Sequence, residues 1–316
     1  MSGGLTEIPG IKVGVCHDRD AATGVTVILV EEGAGAGVEV RGSAPGTRET
    51  DLLQPGRLVE EVQALVLAGG SIYGLDAASG VVRYLEEGGF GYSISPLKIP
   101  IVPAAILFDL FIGSSSVRPD AQMGYQACLN ASSGPVPEGS VGAGTGATVG
   151  KFYGPLQAVK SGQGSASRHR GKVVTAALVV VNALGDVYDS SGLLLAGPRN
   201  PETGVMEKTI DLFFGGNPQG FSGNTTLGVV ATNAKLSKEA LGKVAQMAHD
   251  GLARSIWPVH TMWDGDTIFS LSAGEEEADP NLVGIMAAEA LAEASARAVL
   301  KAQSLAGIPC RAELLK

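Results

Sequence analysis

Short apolar runs separated by glycine-rich or polar turns recur along the chain. The clearest of these runs cover residues 25–30, 64–68, 173–181 and 225–232, and most are rich in valine. Compact apolar runs that contain β-branched residues and are bounded by turn residues favour buried strands over helices. We therefore predict a buried strand at each of these positions.

A helical spacing of apolar residues follows the second of these strands. Between residues 75 and 87 apolar residues recur at intervals of three and four, and two glycines then end the pattern. This spacing places the apolar residues on one face of a helix. The residues on that face are Leu75, Ala78, Val82 and Leu85. Further helices are predicted over residues 119–131, 237–254 and 279–304.

The predicted strands and helices are mixed along the chain and do not alternate strictly. This order favours a layered α+β or sandwich architecture over a doubly wound parallel sheet. No repeat, linker or low-complexity tail divides the sequence, so we predict one domain over residues 1–316. Residues 199–223 are rich in proline, glycine and asparagine, which predicts exposed loops of the kind where chain nicking concentrates.

Composition and charge restrict the possible partners. Hydrophobic residues make up 45% of the chain, enough for a sizeable core, and the formal net charge is −9. Nucleic acids and anionic membranes need a basic face, so neither is expected as a partner. The first residues lack a basic stretch followed by an apolar one, and no apolar run reaches transmembrane length. We therefore expect a soluble, cytoplasmic protein.

The cysteine and histidine positions do not suggest a metal site, and no cofactor is expected. Cys16, Cys128 and Cys310 are odd in number and far apart, which argues against a disulfide framework or a zinc site. The histidines show neither metal-ligand spacing nor the neighbours of a catalytic triad, and we interpret them as surface or packing residues. They are His17, His169, His249 and His260.

Three glycine-rich segments partly match known motifs. Residues 142–147 have the form G-x-G-x-x-A, but nearby prolines and glycines remove the strand and helix that a dinucleotide site needs. Gly150-Lys151 lacks the following serine or threonine of a phosphate-binding loop. Residues 69–74 join a strand to a helix, but Tyr73 occupies the glycine position of a nucleophile elbow, so we interpret Ser71 as a helix cap.

Thr225 enters a predicted strand from the polar turn Ser222-Gly223-Asn224. By itself this context is that of a turn, and Asn224-Thr225-Thr226 is also formally a glycosylation sequon. A threonine hydroxyl can, however, attack the carbonyl carbon of the preceding residue, and hydrolysis of the resulting ester leaves an N-terminal threonine. Its α-amine, with a reference pKa of about 8, then acts as the base for its own hydroxyl. Such a residue needs no histidine triad.

Four segments together resemble the L-aminopeptidase/D-esterase family, which includes the endo-type 6-aminohexanoate-oligomer (nylon) hydrolases. They are residues 69–75 (GGSIYGL), 101–105 (IVPAA), 144–146 (GTG) and 225–234 (TTLGVVATNA). The resemblance extends over most of the chain, from about Leu5 to the C-terminal helix. It implies an N-terminal-nucleophile hydrolase with a four-layer α-β-β-α sandwich, assembled as a homotetramer.

The resemblance also implies self-cleavage. The family cleaves its own chain before a serine or threonine that becomes the nucleophile of the C-terminal fragment. In this sequence the bond is Asn224–Thr225, and the expected fragments are residues 1–224 and 225–316.

Four further site residues are implied in the same way. Asn182 matches an oxyanion-stabilising asparagine, and Lys151 matches the lysine of nylon hydrolases where aminopeptidases often have tyrosine. Asp264 and Asp266 match the acidic pair of nylon hydrolases, and we expect them to form hydrogen bonds to Thr225 or Lys151. Without the resemblance, Asp264-Gly265-Asp266 is typical of a solvated hairpin turn, Lys151 of a surface lysine and Asn182 of a strand-end turn residue.

Three functions follow from these residues. The first is an endo-amidase that cleaves linear 6-aminohexanoate oligomers, which the threonine nucleophile, Lys151 and the acidic pair favour. The second is an aminopeptidase, D-amidase or D-esterase that acts on short or β-amino-acid peptides. The third, a binding protein without activity, is disfavoured because every implied site residue is present.

Overall fold

The computed structural model describes residues 4–216 and 223–315. Its strands are β1 (Lys12–Asp18), β2 (Thr23–Val40), β3 (Thr47–Arg48), β4 (Glu61–Ala68), β5 (Tyr92–Ile94), β6 (Leu97–Ile99), β7 (Ala104–Ile106), β8 (Thr148–Val149), β9 (Val159–Lys160), β10 (Gln163–Arg170), β11 (Val173–Asn182), β12 (Asp186–Tyr188), β13 (Leu194–Ala196), β14 (Thr225–Ala234), β15 (Ile256–Trp257) and β16 (Thr267–Glu276). Its α-helices are α1 (Ala77–Glu87), α2 (Ala121–Leu129), α3 (Thr209–Gly215), α4 (Lys238–Ser255), α5 (Pro280–Leu300) and α6 (Arg311–Leu314).

The largest sheet of the described chain is mixed, with the strand order β10-β11-β14-β16-β2-β4-β7-β3 and with β1 also paired to β2. The 18-residue β2 joins two halves of this sheet, because its first half pairs with β1 and its second half with β16. The pairing of β2 with β4 shifts register between Leu29 and Ala34. Gly33 lies in this shift with φ +97°, a conformation that glycine adopts without strain.

Alternate residues of β2 face opposite sides, as the pleat of a strand requires. Val25, Val27 and Leu29 belong to an apolar cluster that includes buried residues of α1 and α2. Ile28 and Val30 belong to a second cluster, which includes buried residues of β11, β14 and β16. The first half of the sheet therefore packs on helices with one face and on the second half of the sheet with the other.

The second half of the sheet repeats this arrangement. In β11, Leu178 and Val180 join the cluster between the half-sheets, whereas Val179 and Val181 pack with α4 and α5. The layers are thus α1 and α2, two half-sheets, and α4 and α5. This α+β architecture confirms the predicted four-layer α-β-β-α sandwich.

Strands and helices lie close to their predicted positions, and several helix starts have visible physical causes. Ser237 and Asp279 cap α4 and α5 by accepting backbone N–H groups. The helix predicted from residue 75 begins at Ala77 because a short 3-10 helix, Ser71–Asp76, precedes it, and α5 ends at Leu300 rather than at 304.

The region predicted to be loops contains the short helix α3, so that prediction was wrong for residues 209–215. Ser222, part of the predicted polar turn, lies outside the described residues. No helix within the described ranges is long and apolar enough to cross a membrane.

Candidate active site

Residues from three neighbouring strands converge on Thr225. Thr225 is the first residue of β14, and Asn182, the last of β11, lies opposite it in the antiparallel register. On the other side of β14, the segment before the parallel strand β16 carries Asp264 and Asp266. A parallel bridge between Asn224 and Asp264 holds that segment beside the start of β14. The sheet order thus brings together residues that are far apart in sequence.

Two donors meet at the carbonyl oxygen of Asn224. Thr225 is 4% exposed, and its Oγ1 donates to this oxygen at 2.5 Å. The backbone N–H of Gly265 donates to the same oxygen at 2.8 Å. The hydroxyl therefore lies against the peptide group that precedes it, and the amide is placed to polarise that carbonyl.

Gly265 has no room for a side chain. A Cβ built on it would lie 2.7 Å from the carbonyl oxygen of Ala44 and 2.8 Å from Thr225 Oγ1. The close approach between this backbone and the Thr225 hydroxyl therefore requires glycine.

The side-chain amide of Asn182 has a fixed orientation. Its Oδ1 accepts from Lys151 Nζ at 2.7 Å and from the Thr148 N–H at 3.1 Å, and both of these groups are donors. The Nδ2 group consequently points the other way and donates to the carbonyl oxygens of Phe108, at 2.9 Å, and Gly223, at 3.4 Å. An amide donor thus faces the backbone two residues before Thr225.

Lys151 is a buried cation. Its Nζ donates to the backbone oxygen of Asn182 at 2.8 Å as well as to Oδ1. Burial lowers the pKa of Lys151 to about 7, against the opposing effect of the Asp264, Asp109 and Asp266 charges. Lys151 is therefore not the surface lysine that its sequence context alone suggested.

Asp264 is buried, and one of its two carboxylate oxygens accepts hydrogen bonds. Its Oδ2 accepts the Thr261 N–H at 2.8 Å and the Thr261 hydroxyl at 2.5 Å. Burial, followed by the charge of Asp266, raises the pKa of Asp264 to about 6, while Thr261 and the Lys151 charge oppose this rise. The carboxylate is thus poised to titrate near neutral pH.

Asp266 connects β14, the strand that begins at Thr225, to a histidine. Its Oδ1 accepts the Thr226 N–H at 2.6 Å, and its Oδ2 contacts the backbone N and ring Nδ1 of His260 at 3.1 and 2.7 Å. The acidic pair is therefore buried and is not a solvated turn.

The hydrogen bonds expected from the acidic pair to Thr225 or Lys151 are not those found. Within the described residues, Asp264 binds Thr261, and Asp266 binds Thr226 and His260. Both carboxylates act on Lys151 through charge instead.

His249 is a buried packing residue, as interpreted, whereas the half-buried His260 has a contact with the acidic pair that we did not predict. His260 contacts Asp266, and its Nε2 lies 3.2 Å from Nδ1 of the buried His249. His169, in contrast, is an exposed residue paired with Glu7, as expected of a surface histidine. The missed signal was local, because His260 lies only four and six residues before the two aspartates of the acidic pair.

Three aromatic side chains form a row of ring contacts. The half-buried rings of Phe152, Phe213 and Trp263 lie with successive centroids 5.3 and 6.1 Å apart. We name these three rings the aromatic wall. Phe152 directly follows Lys151 in the sequence, and Trp263 directly precedes Asp264, so two of the three rings belong to neighbours of site residues. A partly exposed row of aromatic rings suits contact with an apolar chain.

The glycine-rich segment at residues 142–147 is a buried turn. Lys160, which sequence reasoning missed, donates through Nζ to the carbonyl oxygens of Gly144, Ala147 and Ser161 at 3.2, 2.8 and 2.5 Å. Because the turn presents carbonyls to a lysine inside the protein, it differs from an amide-lined phosphate loop.

Ser71 is not the helix cap that we predicted. Gly70 occupies the capping position with φ +78°, and the Ser71 side chain makes no capping hydrogen bond.

Comparisons with known proteins identify the family of the chain. The model of peptidase family S58 matches residues 4–311. An uncharacterized aminopeptidase of Mycobacterium leprae is 42% identical over 96% of this chain and 92% of its own. The 6-aminohexanoate-oligomer endohydrolase of Agromyces sp. (strain KY5R) is 34% identical over 85% of this chain and 74% of its own.

A solved structure supports the fold. The L-aminopeptidase D-Ala-esterase/amidase of Ochrobactrum anthropi, described as a variant of the Ntn hydrolase fold, superposes with a TM-score of 0.75 at 20% identity. The match covers 98% of this chain and 90% of that one. The resemblance to the L-aminopeptidase/D-esterase family is thereby confirmed. With this fold and a family match over almost its full length, the chain belongs to peptidase family S58 and is an amide hydrolase.

Proposed function

We propose that this protein is a self-processing amide hydrolase whose nucleophile is Thr225. The observation that carries the proposal is the Asn224 carbonyl oxygen, which accepts from Thr225 Oγ1 and from the Gly265 amide at 2.5 and 2.8 Å. The first contact keeps the hydroxyl at the bond to be broken. The second stabilises the negative charge that attack on the carbonyl creates.

Self-processing proceeds through an ester. Thr225 Oγ1 bonds to the carbonyl carbon of Asn224, the C–N bond breaks, and the hydroxyl proton ends on the released nitrogen. Water then cleaves the ester, giving the Asn224 carboxyl group and restoring the Thr225 hydroxyl. The products are fragments 1–224 and 225–316, and the second begins with a free amine.

The same groups serve turnover of an external amide. The Thr225 amine takes the proton of its own hydroxyl, and the oxygen attacks the substrate carbonyl carbon. The substrate C–N bond breaks, the proton passes to the leaving amine, and an acyl-enzyme ester remains. Water then hydrolyses this ester, which releases the acid product and restores the Thr225 hydroxyl. The Asn182 amide, held in orientation by Lys151, supplies a donor to the oxyanion, and the Lys151 charge adds electrostatic stabilisation. Asp264 and Asp266 hold the segment around the nucleophile and offset the cations.

The preferred substrates in this proposal are linear 6-aminohexanoate oligomers, cleaved internally. The aromatic wall supports this choice, because a row of half-buried apolar rings is suited to bind a run of methylene groups between two amides. The similarity to the Agromyces endohydrolase, with a lysine and two aspartates at the implied positions, supports it further.

An aminopeptidase, D-amidase or D-esterase acting on short or β-amino-acid peptides is the second candidate. The relative with 42% identity is named an aminopeptidase, which favours this activity. An exopeptidase needs an anionic group for the substrate amine, and the buried Asp264 near the site is a carboxylate of the required charge.

The test of the nucleophile uses mass spectrometry and a denaturing gel on purified protein. We expect the two fragments from the natural sequence, partial processing of Thr225→Ser, and one uncleaved and inactive chain from Thr225→Ala. Thr203→Ala, at an exposed position, is the matched control and should process normally. Near-normal hydrolysis by Thr225→Ala would mean that another residue is the nucleophile.

The two substrate classes are separated by blocking the amine. An endo-hydrolase cleaves a 6-aminohexanoate oligomer whether its N-terminus is free or acetylated, whereas an aminopeptidase releases residues only from the free form. Cleavage of short peptide amides together with no turnover of either oligomer would favour the second candidate.

We also propose that the processed protomers form a homotetramer in the cytoplasm. The support is the resemblance to nylon hydrolases. Sedimentation equilibrium measures the mass, and a monomer at micromolar concentration would exclude the tetramer.

A further inference from the structure

A chain of hydrogen bonds extends from Asp266 away from the nucleophile. The ring Nδ1 of His260 lies 2.7 Å from Asp266 Oδ2, and its Nε2 lies 3.2 Å from Nδ1 of His249. The Nε2 of His249 lies 3.1 Å from the carbonyl oxygen of Glu39, and this series of hydrogen bonds ends there. The proposed reaction does not use either histidine.

The end of the chain determines where its protons lie. A carbonyl oxygen only accepts, so Nε2 of His249 must carry a proton. Burial, together with the charges of His260 and Arg41, lowers the pKa of His249 to about 4, so this ring is neutral and its Nδ1 accepts. The N–H between the two rings therefore belongs to Nε2 of His260.

This leaves one further proton to place. With Nε2 of His260 already protonated, its Nδ1 and Asp266 Oδ2 would both be acceptors, 2.7 Å apart, unless one more proton lies between them. Imidazole is a stronger base than a carboxylate, so we assign this proton to the ring, and the pair formed by His260 and Asp266 contains an imidazolium and a carboxylate.

We propose that His260 is a positioning residue, whose imidazolium neutralises Asp266 and holds its other oxygen on the Thr226 amide, fixing the start of the strand that carries the nucleophile. The inference rests on the proposed self-processing for its kinetic consequence. The protonation of His260 follows from the hydrogen bonds together with the neutral state of the buried His249, and it does not depend on self-processing.

The backbone of His260 is shaped for this contact. It has φ +58°, in the left-handed region that a residue with a side chain adopts at a cost. In this conformation both its N–H and its ring reach Asp266 Oδ2, at 3.1 and 2.7 Å. A strained backbone that directs two donors to one buried oxygen favours a positioning role.

The surrounding charges are consistent with an imidazolium. Asp264 and Lys151 lie on the nucleophile side, and Arg41 and Glu39 lie near the far end of the chain beyond His249. With a protonated His260, the buried cations and carboxylates of the site balance. Without it, Asp266 becomes a buried charge that lacks its partner, which is costly.

The first experiment measures protonation directly and does not depend on processing. Histidine ring ¹⁵N shifts are recorded at pH 7 on the uncleaved Thr225→Ala protein, which has four histidines to assign. We expect two protonated nitrogens on His260, and on His249 a neutral ring protonated at Nε2. Adding Asp266→Asn should leave His260 singly protonated. A singly protonated His260 beside an ionised Asp266 would overturn the inference.

The second experiment measures the rate of fragment formation across pH in His260→Ala and His260→Asn. His260→Ala should slow processing by about 10- to 100-fold. This is the size of effect seen when a residue that orients an active-site group is removed, as is known for the partners of metal ligands in other proteins. His260→Asn, which keeps a neutral donor near the Nδ1 position, should recover part of the rate with an altered pH profile. His169→Ala, at the exposed histidine–carboxylate pair, is the matched control and should leave the rate unchanged.

The two experiments separate the possible failures. If His260→Ala processes at the normal rate with an unchanged pH profile, the positioning role is wrong even if Thr225 is the nucleophile. If Thr225→Ala itself is cleaved, the proposed function fails, and the ¹⁵N measurement still tests the ion pair. The ¹⁵N result also stands if His260→Ala does not fold.

Discussion

The hydroxyl of Thr225 and the backbone of Gly265 approach the same carbonyl oxygen, and the fit is close. A methyl group on Gly265 would overlap Thr225 Oγ1 and the carbonyl oxygen of Ala44, both within 3 Å. We predict that Gly265→Ala slows self-processing by about tenfold or more, equivalent to roughly 1.4 kcal/mol or more in the barrier. The measurement is the rate of fragment formation on a denaturing gel.

A second glycine provides the control for this substitution. Gly242 lies in α4, and a Cβ there would meet no atom within 4 Å. Gly242→Ala should process normally and gain about 1 kcal/mol of stability from helix propensity. Equal rates for the two variants would show that the Gly265 contact does not matter for cleavage.

Self-processing should depend on pH through Asp264 and Lys151. The pKa of Asp264 is raised to about 6, so its negative charge is lost as pH falls through that value. The pKa of Lys151 is lowered to about 7, so its positive charge is lost as pH rises through that value. If both charges are needed, the rate peaks between about pH 6 and 7, with apparent values that belong to the coupled network.

This prediction is best tested on the uncleaved chain, before cleavage creates the α-amine of residue 225. The Thr225→Ser protein, for which partial processing is expected, allows fragment formation to be followed from pH 5 to 9. A rate that stays constant from pH 6 to 9 would show that the Lys151 charge is not required.

At the residue scale, the sequence predicted the identity of the site better than its connections. Asn182, Lys151 and the acidic pair converge on Thr225 in the fold, as the resemblance implied. The connections of the pair to Thr226 and His260 were not predictable, because they depend on the left-handed backbone at His260. A single sequence does not reveal such a conformation in a non-glycine residue.

At the scale of elements, the buried turn at residues 142–147 depends on one lysine. Lys160 is fully buried and satisfies the carbonyl oxygens of Gly144, Ala147 and Ser161. We predict that Lys160→Met destabilises the protein by about 3 kcal/mol or more, because each of the three carbonyls loses one hydrogen bond at a fully buried site. Urea unfolding of the Thr225→Ala chain measures this loss.

An exposed lysine gives the comparison. Lys235 forms an ion pair with Glu275 at the surface, and Lys235→Met should leave the urea midpoint almost unchanged, because solvent screens such a pair. Similar midpoints for the two variants would mean that Lys160 does not support the turn.

The positions of helices and strands were predicted correctly where capping residues or apolar runs gave a strong local signal. α4 and α5 begin at the capping residues Ser237 and Asp279, and the apolar runs became central strands. The short helix α3 was missed because prolines, glycines and asparagines around it predicted loops. Its seven residues are too few for periodicity to outweigh that composition.

At the scale of the whole molecule, sequence patterns did not predict that β2 pairs with strands of both half-sheets. The apolar run at residues 25–30 predicts a strand of ordinary length, yet β2 continues to Val40 and joins both half-sheets. Small residues such as Ala34 and Ala36 carry its second half, and they give a weak local signal for a strand. The long-range pairing with β16 overrides this weak preference.

This connectivity determines what the proposed cleavage at Asn224–Thr225 would do to the molecule. β14 of the C-terminal fragment lies between β11 and β16, and β16 in turn pairs with β2 of the N-terminal fragment. α5 packs on β11 through Leu291 and Val179 in one apolar cluster. Separating the fragments would expose both central clusters, at about 25 cal/mol for each Å² of apolar surface.

We therefore predict that the fragments remain one folded unit after cleavage. On a denaturing gel they should migrate as two bands, while on native size exclusion they should elute together, at the volume of the uncleaved Thr225→Ala protein. Thermal unfolding of the processed protein should show one cooperative transition, because cleavage divides the largest sheet and the two central apolar clusters between the fragments. Native elution of the 225–316 fragment by itself would contradict this prediction, since it would require β14 and β16 to exist without their partners in β11 and β2.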